Sequence, residues 1–381
     1  MIPDVSNMLF AFTFFSILGW VIEVVYRSTR EGRFVNPGLL KGPYLILYGT
    51  AALLGAGAAE GKEKLGTFSL YFENDLFAHT DQGYTSGIKL SWISPDLTGY
   101  AESGKLPDWS LPYVRWLPFI NEPGFQRNVA LCMGQNIYTP EDISREDLIE
   151  DDRPYAGWAY LGIAFHSKNE RRLDTMEFQL GIVGPASGAE QTQKLVHRKI
   201  DSQYPNGWDN QLKNEPGLAI IYERKLRVLQ GGAREAPGFD AIAHLGGTLG
   251  NVYTYANAGM EARAGWNIPP DFGDSIIRPG GDTNAPASAR DPRLSSKYGY
   301  SLYVFSAVSG RAVLRDIFLD GNTFTDSHSV DKKYFVADLC VGASLILYRF
   351  KLSYAQVFQT KEFHGQKGNP SFGSITLSFS W

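Results

Sequence analysis

Cysteine is scarce in this chain: there are 2 in 381 residues, Cys132 and Cys340, each inside an apolar run. They can pair only if those runs become neighbours, so two isolated thiols is the simpler expectation. No Cys/His metal-ligand spacing occurs. Positive charge is not concentrated anywhere and the formal net charge is −4, which argues against nucleic acid as a partner. Mean hydropathy is −0.20, too polar for a bundle of membrane helices. The chain also lacks a G-x-S-x-G elbow, a Walker or dinucleotide-binding glycine motif, and H-E-x-x-H. Aromatic residues are plentiful, at 13% with 20 Tyr and 23 Phe. Membrane β-barrels combine these traits, because alternation halves apparent hydropathy and aromatic girdles mark both interfaces. Length alone allows one large or two medium domains.

The final residues, FGSITLSFSW, alternate strictly. Ile375, Leu377, Phe379 and Trp381 are apolar, while Ser374, Thr376, Ser378 and Ser380 are small and polar. A period of two predicts a strand with one face in an apolar medium and the other in a polar one. Ending on Trp381, it resembles the sorting strand of outer-membrane barrels, which implies the barrel-assembly machinery as a partner. Similar runs recur from Leu65 onward: GTFSLYFEN, SGIKLSWIS, NVALCMGQNIY, GWAYLGIAFHS, DTMEFQLGIVG, GLAIIYERKLRVL, FDAIAHLGGTLG, YGYSLYVFSAV and RFKLSYAQVFQ. With the terminal strand, and KKYFVADLCVGASLILYRF taken as long enough for a hairpin, they number about 12. The expected fold is all-β, a 12-stranded antiparallel transmembrane β-barrel in the outer membrane of a Gram-negative bacterium.

Two segments depart from the alternation. Trp266 to Lys297 is polar and rich in Pro, Gly and Asp, and reads as a long extracellular loop. Gly188 to Gln203 has few β-branched residues and good helix formers, and reads as one inserted polar helix. Gln193, His197 and Asp201 fall along one face of it.

Residues 1–60 are of another kind. Met8 to Val25 is apolar apart from Glu23, long enough for a short membrane helix, and Arg27, Arg30, Arg33 and Lys41 come after it. The second apolar run, Pro43 to Ala59, also reads as a signal peptide with Ala56-Gly57-Ala58 as its cleavage site. On either reading the remainder of the chain is exported across the inner membrane. FSILGWVIEVVYRSTREGRFVNPGLLKGPYLILYG resembles the start of the ABC-transporter type IV (CmpB-like) integral membrane family. That resemblance covers only residues 1–50, so it assigns no transport activity and points to a fused reading frame or borrowed leader. The expected division is a hydrophobic leader, 1–60, and a barrel, 61–381.

Polar clusters sit at the ends of the strand-like runs. The first is Glu73-Asn74-Asp75 with Thr80 to Gly87. The second is Gln135 to Pro140 with Asp151 to Trp158. The third runs from Gly184-Pro185 through Gln193 and His197 to Gly207-Trp208-Asp209-Asn210-Gln211 and Glu215. Singly, each has a plain reading: turn residues, a solvated histidine, and an Arg153–Asp152 ion pair in the lumen. Together, FENDLF…TDQGYTSGIKLSW, QNIYTP, DRPYAGW, GP…Q…H and GWDNQL…NE resemble the lipid A 3′-O-deacylase (LpxR-type) family over residues 66–381.

That resemblance implies a 12-stranded barrel with its site near the outer rim. It also implies Ca2+-dependent hydrolysis of the ester holding the 3′ acyloxyacyl group of lipid A, with lipopolysaccharide as substrate. The family's Asn-Asp pair falls on Asn74 and Asp75, its threonine on Thr85, its histidine on His197 and its glutamine on Gln193. The family's lysine has no counterpart here. Arg145 is the nearest basic residue, and a guanidinium stabilises anions but does not deprotonate. Leu76 stands where an acid can follow the Asn-Asp pair.

The chemistry is coherent on its own terms. Without a serine nucleophile, ester hydrolysis needs an activated water, and neutral imidazole is a suitable base, hence His197. Ca2+ held by oxygen ligands at Asn74 and Asp75, assisted by Thr85, would meet the developing oxyanion, with Arg145 steadying it or a lipid phosphate. The alternatives are a non-enzymatic barrel, porin or structural, and an outer-membrane phospholipase, for which Ser86 is the available nucleophile.

Overall fold

In a computed structural model of the chain, the alternating runs pair with their sequence neighbours and close on themselves. The structure describes residues 66–75, 83–97, 111–115, 117, 122–200, 202–233, 235–274, 276–277, 284–288, 290–294 and 299–380. The leader and the terminal Trp381 therefore lie outside the described residues. The first strands are β1 (Thr67–Asn74), β2 (Gly83–Ile93), β3 (Gln126–Thr139), β4 (Ala156–Lys168), β5 (Arg172–Val183) and β6 (Glu215–Gly232). Then come β7 (Pro237–Gly250), β8 (Tyr253–Trp266), β9 (Tyr300–Asp316), β10 (Phe335–Leu347), β11 (Phe350–Gln359) and β12 (Ser371–Ser380). Among the described residues three α-helices interrupt them: α1 (Leu111–Val114), α2 (Ala189–Ile200) and α3 (Ile317–Asp320). None of the described helices is long and apolar enough to cross a membrane. The fold is a closed 12-stranded antiparallel barrel, as the alternation predicts.

Closure follows from the terminal strand. Thr67 pairs with Ser380 and Ser69 with Ser378, and their hydroxyls bond at 3.0 and 2.8 Å. Ser374, Thr376, Ser378 and Ser380 are buried toward the lumen, as are Thr67, Ser69, Tyr71 and Glu73 of β1. The opposite face is apolar and exposed: Leu131 and Met133 on β3, Leu161 on β4, Leu180 on β5 and Leu245 on β7. On a membrane barrel that face meets lipid.

One strand is absent from the sequence reading. β8 (YTYANAGMEARAGW) turns Ala256, Ala258, Ala262 and Ala264 outward and Asn257, Glu261 and Arg263 inward. Alanine gives weak hydrophobic contrast and weak strand propensity, so the alternation does not stand out. KKYFVADLCVGASLILYRF, read as a hairpin, contains the single strand β10, whose turn leads into β11.

Strand parity then overturns the loop assignment. Seven recognised runs ahead of Trp266 would end at the rim opposite the one where β1 begins. With β8 there are eight, so residues 267–299 leave from the rim where β1 starts and β12 ends. The described residues 267–274, 276–277, 284–288 and 290–294 of this connection are not an extracellular loop but a plug turned into the lumen. Asp271 meets Arg263 of β8 (2.5 Å), Lys351 of β11 (3.1 Å) and Arg293 of the loop itself (3.1 Å). The Ile277 amide donates to Glu73 of β1 (2.7 Å), and Lys168 of β4 donates to the Pro286 carbonyl (2.7 Å). Burial alone would raise the Asp271 carboxyl, but the Lys351, Arg263 and Arg293 charges outweigh it and hold it well below the usual carboxylate range.

At the other rim α3 covers the lumen, with Ile317, Phe318 and Leu319 buried. Phe318 stacks on Tyr138 (3.9 Å between centroids), and the Tyr138 and Tyr253 hydroxyls bond at 2.6 Å. Between plug and cap is a cavity of about 140 Å3. Cys132 and Cys340 form no disulfide and stand on strands that are not neighbours.

Candidate active site on the outer wall

Asn74 shares its face of β1 with the outward Phe68, Leu70 and Phe72. Yet it is only 7% exposed, and Asp75 beside it is fully buried. On β2 the ladder to β3 shifts register between Tyr84 and Ser86, leaving Thr85 as the extra residue. Such a bulge re-aims a side chain, often beside active sites. The Thr85 hydroxyl bonds that of Thr139 at the top of β3 (2.6 Å). Ser86, the phospholipase candidate, donates instead to the Glu73 carbonyl (3.2 Å).

The helix lies on the outside of the same arc. α2 packs against β3 and β4. The outward Ile137 of β3 clusters with Ile143, Tyr155, Ala189 and Trp208. Gly157 of β4 makes this approach possible: a Cβ there would lie 2.1 Å from Ser187 Oγ and 2.3 Å from Ala189 Cβ. Gln135 Nε2 donates to the Ser187 carbonyl (2.7 Å), tying the entrance of α2 to β3. The polar helix with no evident purpose in the sequence is thus a buttress on the membrane-facing wall.

Its buried face carries Ala189, Gln193 and His197, one turn apart each time. Asp201, expected on the same face, lies outside the described residues. His197 is 4% exposed, and its Nδ1 is 2.5 Å from the Gln203 carbonyl. A carbonyl only accepts, so Nδ1 carries a proton, and in the neutral tautomer this fixes, Nε2 is the nitrogen with the lone pair. Gln193 Oε1 accepts from Trp208 Nε1 (2.8 Å), which fixes the amide orientation. Gln193 Nε2 is buried and donates to no group among the described residues.

The second and third clusters prove to be the frame around this pair. Trp208 is buried against Tyr155, and the Tyr155 hydroxyl donates to the Ile143 carbonyl (3.0 Å). Asn206 and Asn210 donate to the Ser144 and Glu146 carbonyls (3.0 and 2.8 Å). Glu215 accepts from Asn251, Asn322 and the Thr323 amide (2.8, 3.1 and 2.7 Å), joining three rim loops. Arg153 pairs with Glu362 rather than with the Asp152 side chain as the sequence reading has it; Asp152 accepts from the Arg153 amide (2.8 Å). Arg145 sits on the loop above, half exposed, bonded to Asp147 at 2.5 Å. That carboxylate raises the guanidinium further above its ordinary value.

Sequence reasoning placed Thr139 and Trp208 in the polar clusters without giving either a role, and did not single out Gln203. The first two lie inside the motifs QNIYTP and GWDNQL, while Gln203 acts through its backbone, which no side-chain motif can reveal.

Asn74 and Asp75 offer hard oxygen donors of the kind Ca2+ takes, with the Thr85 and Thr139 hydroxyls nearby on β2 and β3. Among the described residues no three His, Cys, Asp or Glu gather to hold a metal, so water or substrate oxygens would complete a shell of roughly 6–8 ligands. Leu76 and the polar residues Thr80 to Gln82 lie outside the described residues. None of Asn74, Asp75, Thr85, Gln193 or His197 lines the lumenal cavity. The candidate residues stand apart from the lumenal cavity.

A closed barrel of 12 antiparallel strands with an apolar, exposed outer face defines an outer-membrane protein of the Gram-negative envelope. A sequence model of the outer membrane protein LpxR family matches residues 45–381, and the chain belongs to that family. LpxR from Salmonella typhimurium has the same fold, at TM-score 0.64 and 18% identity, covering 82% of this chain and 99% of that one. The β domain of the Bordetella autotransporter BrkA aligns at TM-score 0.37 and 8% identity, over 83% of this chain and 98% of its own. No protein of curated function matches the sequence.

Proposed function

We propose that the protein is a lipid A 3′-O-deacylase that hydrolyses the ester of the 3′ acyloxyacyl chain from the membrane side of its wall. The observation that carries this reading is the His197 ring, whose Nδ1 is held by a backbone carbonyl so that Nε2 is left as a base apart from the lumenal cavity. Nε2 takes a proton from water as the water oxygen bonds to the acyl carbonyl carbon. The Gln193 Nε2–H, uncommitted within the described residues, donates to the resulting oxyanion. Collapse breaks the bond to the sugar O3′, which takes the proton back from His197. The products are the free acyloxyacyl acid and a 3′-hydroxyl.

Ca2+, when bound at Asn74 and Asp75, would supply further positive charge to the oxyanion. Thr85, held by Thr139, positions that edge of the site. Arg145 stands in place of a lysine and steadies a lipid phosphate or the oxyanion when it exchanges Asp147 for that anion. The test is mass spectrometry of lipid A after incubating the refolded barrel with lipopolysaccharide and Ca2+, beside His197→Ala. Loss of the 3′ acyloxyacyl mass in the wild type alone is the expected result, and no loss in either sample refutes the activity.

A further inference from the structure

α2 exposes apolar residues among its charged ones. Gln193 and His197 lie with Ala189 on its buried side, while Leu195 at 52% and Val196 at 40% exposure stand outside that side with Gln191, Arg198 and Lys199. Tyr204, just beyond the helix, is 43% exposed. Normally the apolar stripe faces the core and the charged face meets water. Here the exposed apolar residues stand above the outward Leu131 and Met133 of β3 and Leu161 of β4, on the same wall. They continue the lipid-facing surface to the distal rim, the level of the bilayer interface.

Basic residues accompany them. Lys194 is committed to Glu190 at 2.6 Å and lies over the Tyr204 ring at 5.6 Å. Arg198 and Lys199 are exposed, and the one hydrogen bond described for Arg198 runs from Nε to the Lys194 carbonyl (3.3 Å), leaving the planar Nη end for a ligand. Apolar residues beside exposed Arg and Lys are the pattern of a helix seated in a membrane interface against anionic headgroups, and guanidinium matches phosphate with paired hydrogen bonds.

We infer that α2 is a headgroup ledge for a phosphorylated glycolipid: Leu195, Val196 and Tyr204 enter the acyl boundary, and Arg198 and Lys199 bind a glycolipid phosphate. The ledge sets the depth and orientation at which an ester reaches His197 on its other face. This rests on the proposed lipid A hydrolysis. Arg198 and Lys199 are specificity residues and take no part in the bond-breaking steps.

The full chain in nanodiscs of neutral lipid, titrated with bisphosphorylated lipid A, gives two readouts: 31P line broadening for binding and mass-resolved initial rates for turnover. For Arg198→Ala/Lys199→Ala, phosphate binding should weaken and KM should rise by about thirtyfold, with kcat within about twofold. On enzymatically dephosphorylated lipid A the variant and wild type should agree. Unchanged binding and KM in the double variant overturn the ledge, as does an equal loss on the dephosphorylated substrate. Competition by phosphatidylglycerol as strong as by lipid A also overturns it, leaving a general anionic anchor. Binding lost in the variant where the wild type shows no turnover keeps the ledge and removes the deacylase reading. Turnover with unaltered binding does the reverse.

Discussion

Gln193→Glu is the most demanding test of the outer-wall site. The change is nearly isosteric, and Trp208 Nε1 still finds an oxygen to donate to, so packing and amide-plane geometry are retained. What is lost is the Nε2–H pair, the only part of the side chain without a partner among the described residues, and an acceptor replaces a donor where the oxyanion forms. Removing one preorganised oxyanion donor costs about 3–4 kcal/mol of transition-state stabilisation, or roughly a hundredfold to a thousandfold in kcat. Substrate affinity should hardly move, because the ground-state ester carries little charge on that oxygen. The assay is single-turnover release of the 3′ chain followed by mass spectrometry, with heat-modifiable mobility on gels to show an intact barrel. A kcat within about threefold of wild type would falsify the role of Gln193. A rise in KM alone would instead place it in ground-state binding.

Gly157→Ala should leave a closed barrel with little activity, since its Cβ would meet Ser187 Oγ at 2.1 Å and push α2 off the wall, an overpacking cost of about 1–3 kcal/mol; unchanged turnover would refute the docking argument. Asp271→Asn removes the carboxylate that joins Arg263, Arg293 and Lys351, and breaking a buried ionic network this way costs about 3–5 kcal/mol. Because the folded carboxyl is depressed, this stabilisation is complete above the ordinary aspartate range and fades as pH falls through and below it. Denaturant midpoints of wild type and variant should therefore differ at neutral pH and converge in strong acid, and parallel curves would refute the assignment. With plug and cap in place the wild type should be silent in planar bilayers. Regular single-channel steps would support the porin reading instead.

Each feature's legibility in the sequence depends on the kind of information it needs. SITLSFS announces its own two faces, because serine and threonine toward the lumen and large apolar residues toward lipid are a local pattern. The helix at 189–200 was visible for the converse reason, since nothing in it alternates. β8 was not, because four alanines carry its lipid face, a weaker apolar signal than the Leu, Ile, Val and Phe of the other strands. That one omission also misplaced the loop after it, since each strand carries the chain from one rim to the other.

The sequence by itself determined that the chain is an outer-membrane barrel and which residue types gather at its rim, because period-two burial and short motifs are local properties. Only the tertiary structure decided which side of the wall they face. Asn74 and the His197 face of α2 belong to the lipid side because strand alternation and the missing Cβ of Gly157 set them there. The protonated nitrogen of His197 was likewise decided by a backbone carbonyl, at Gln203, and the free end of Gln193 by an indole nitrogen fifteen residues along the chain. Such partners are chosen by how loops cross in space, which no spacing along the chain encodes.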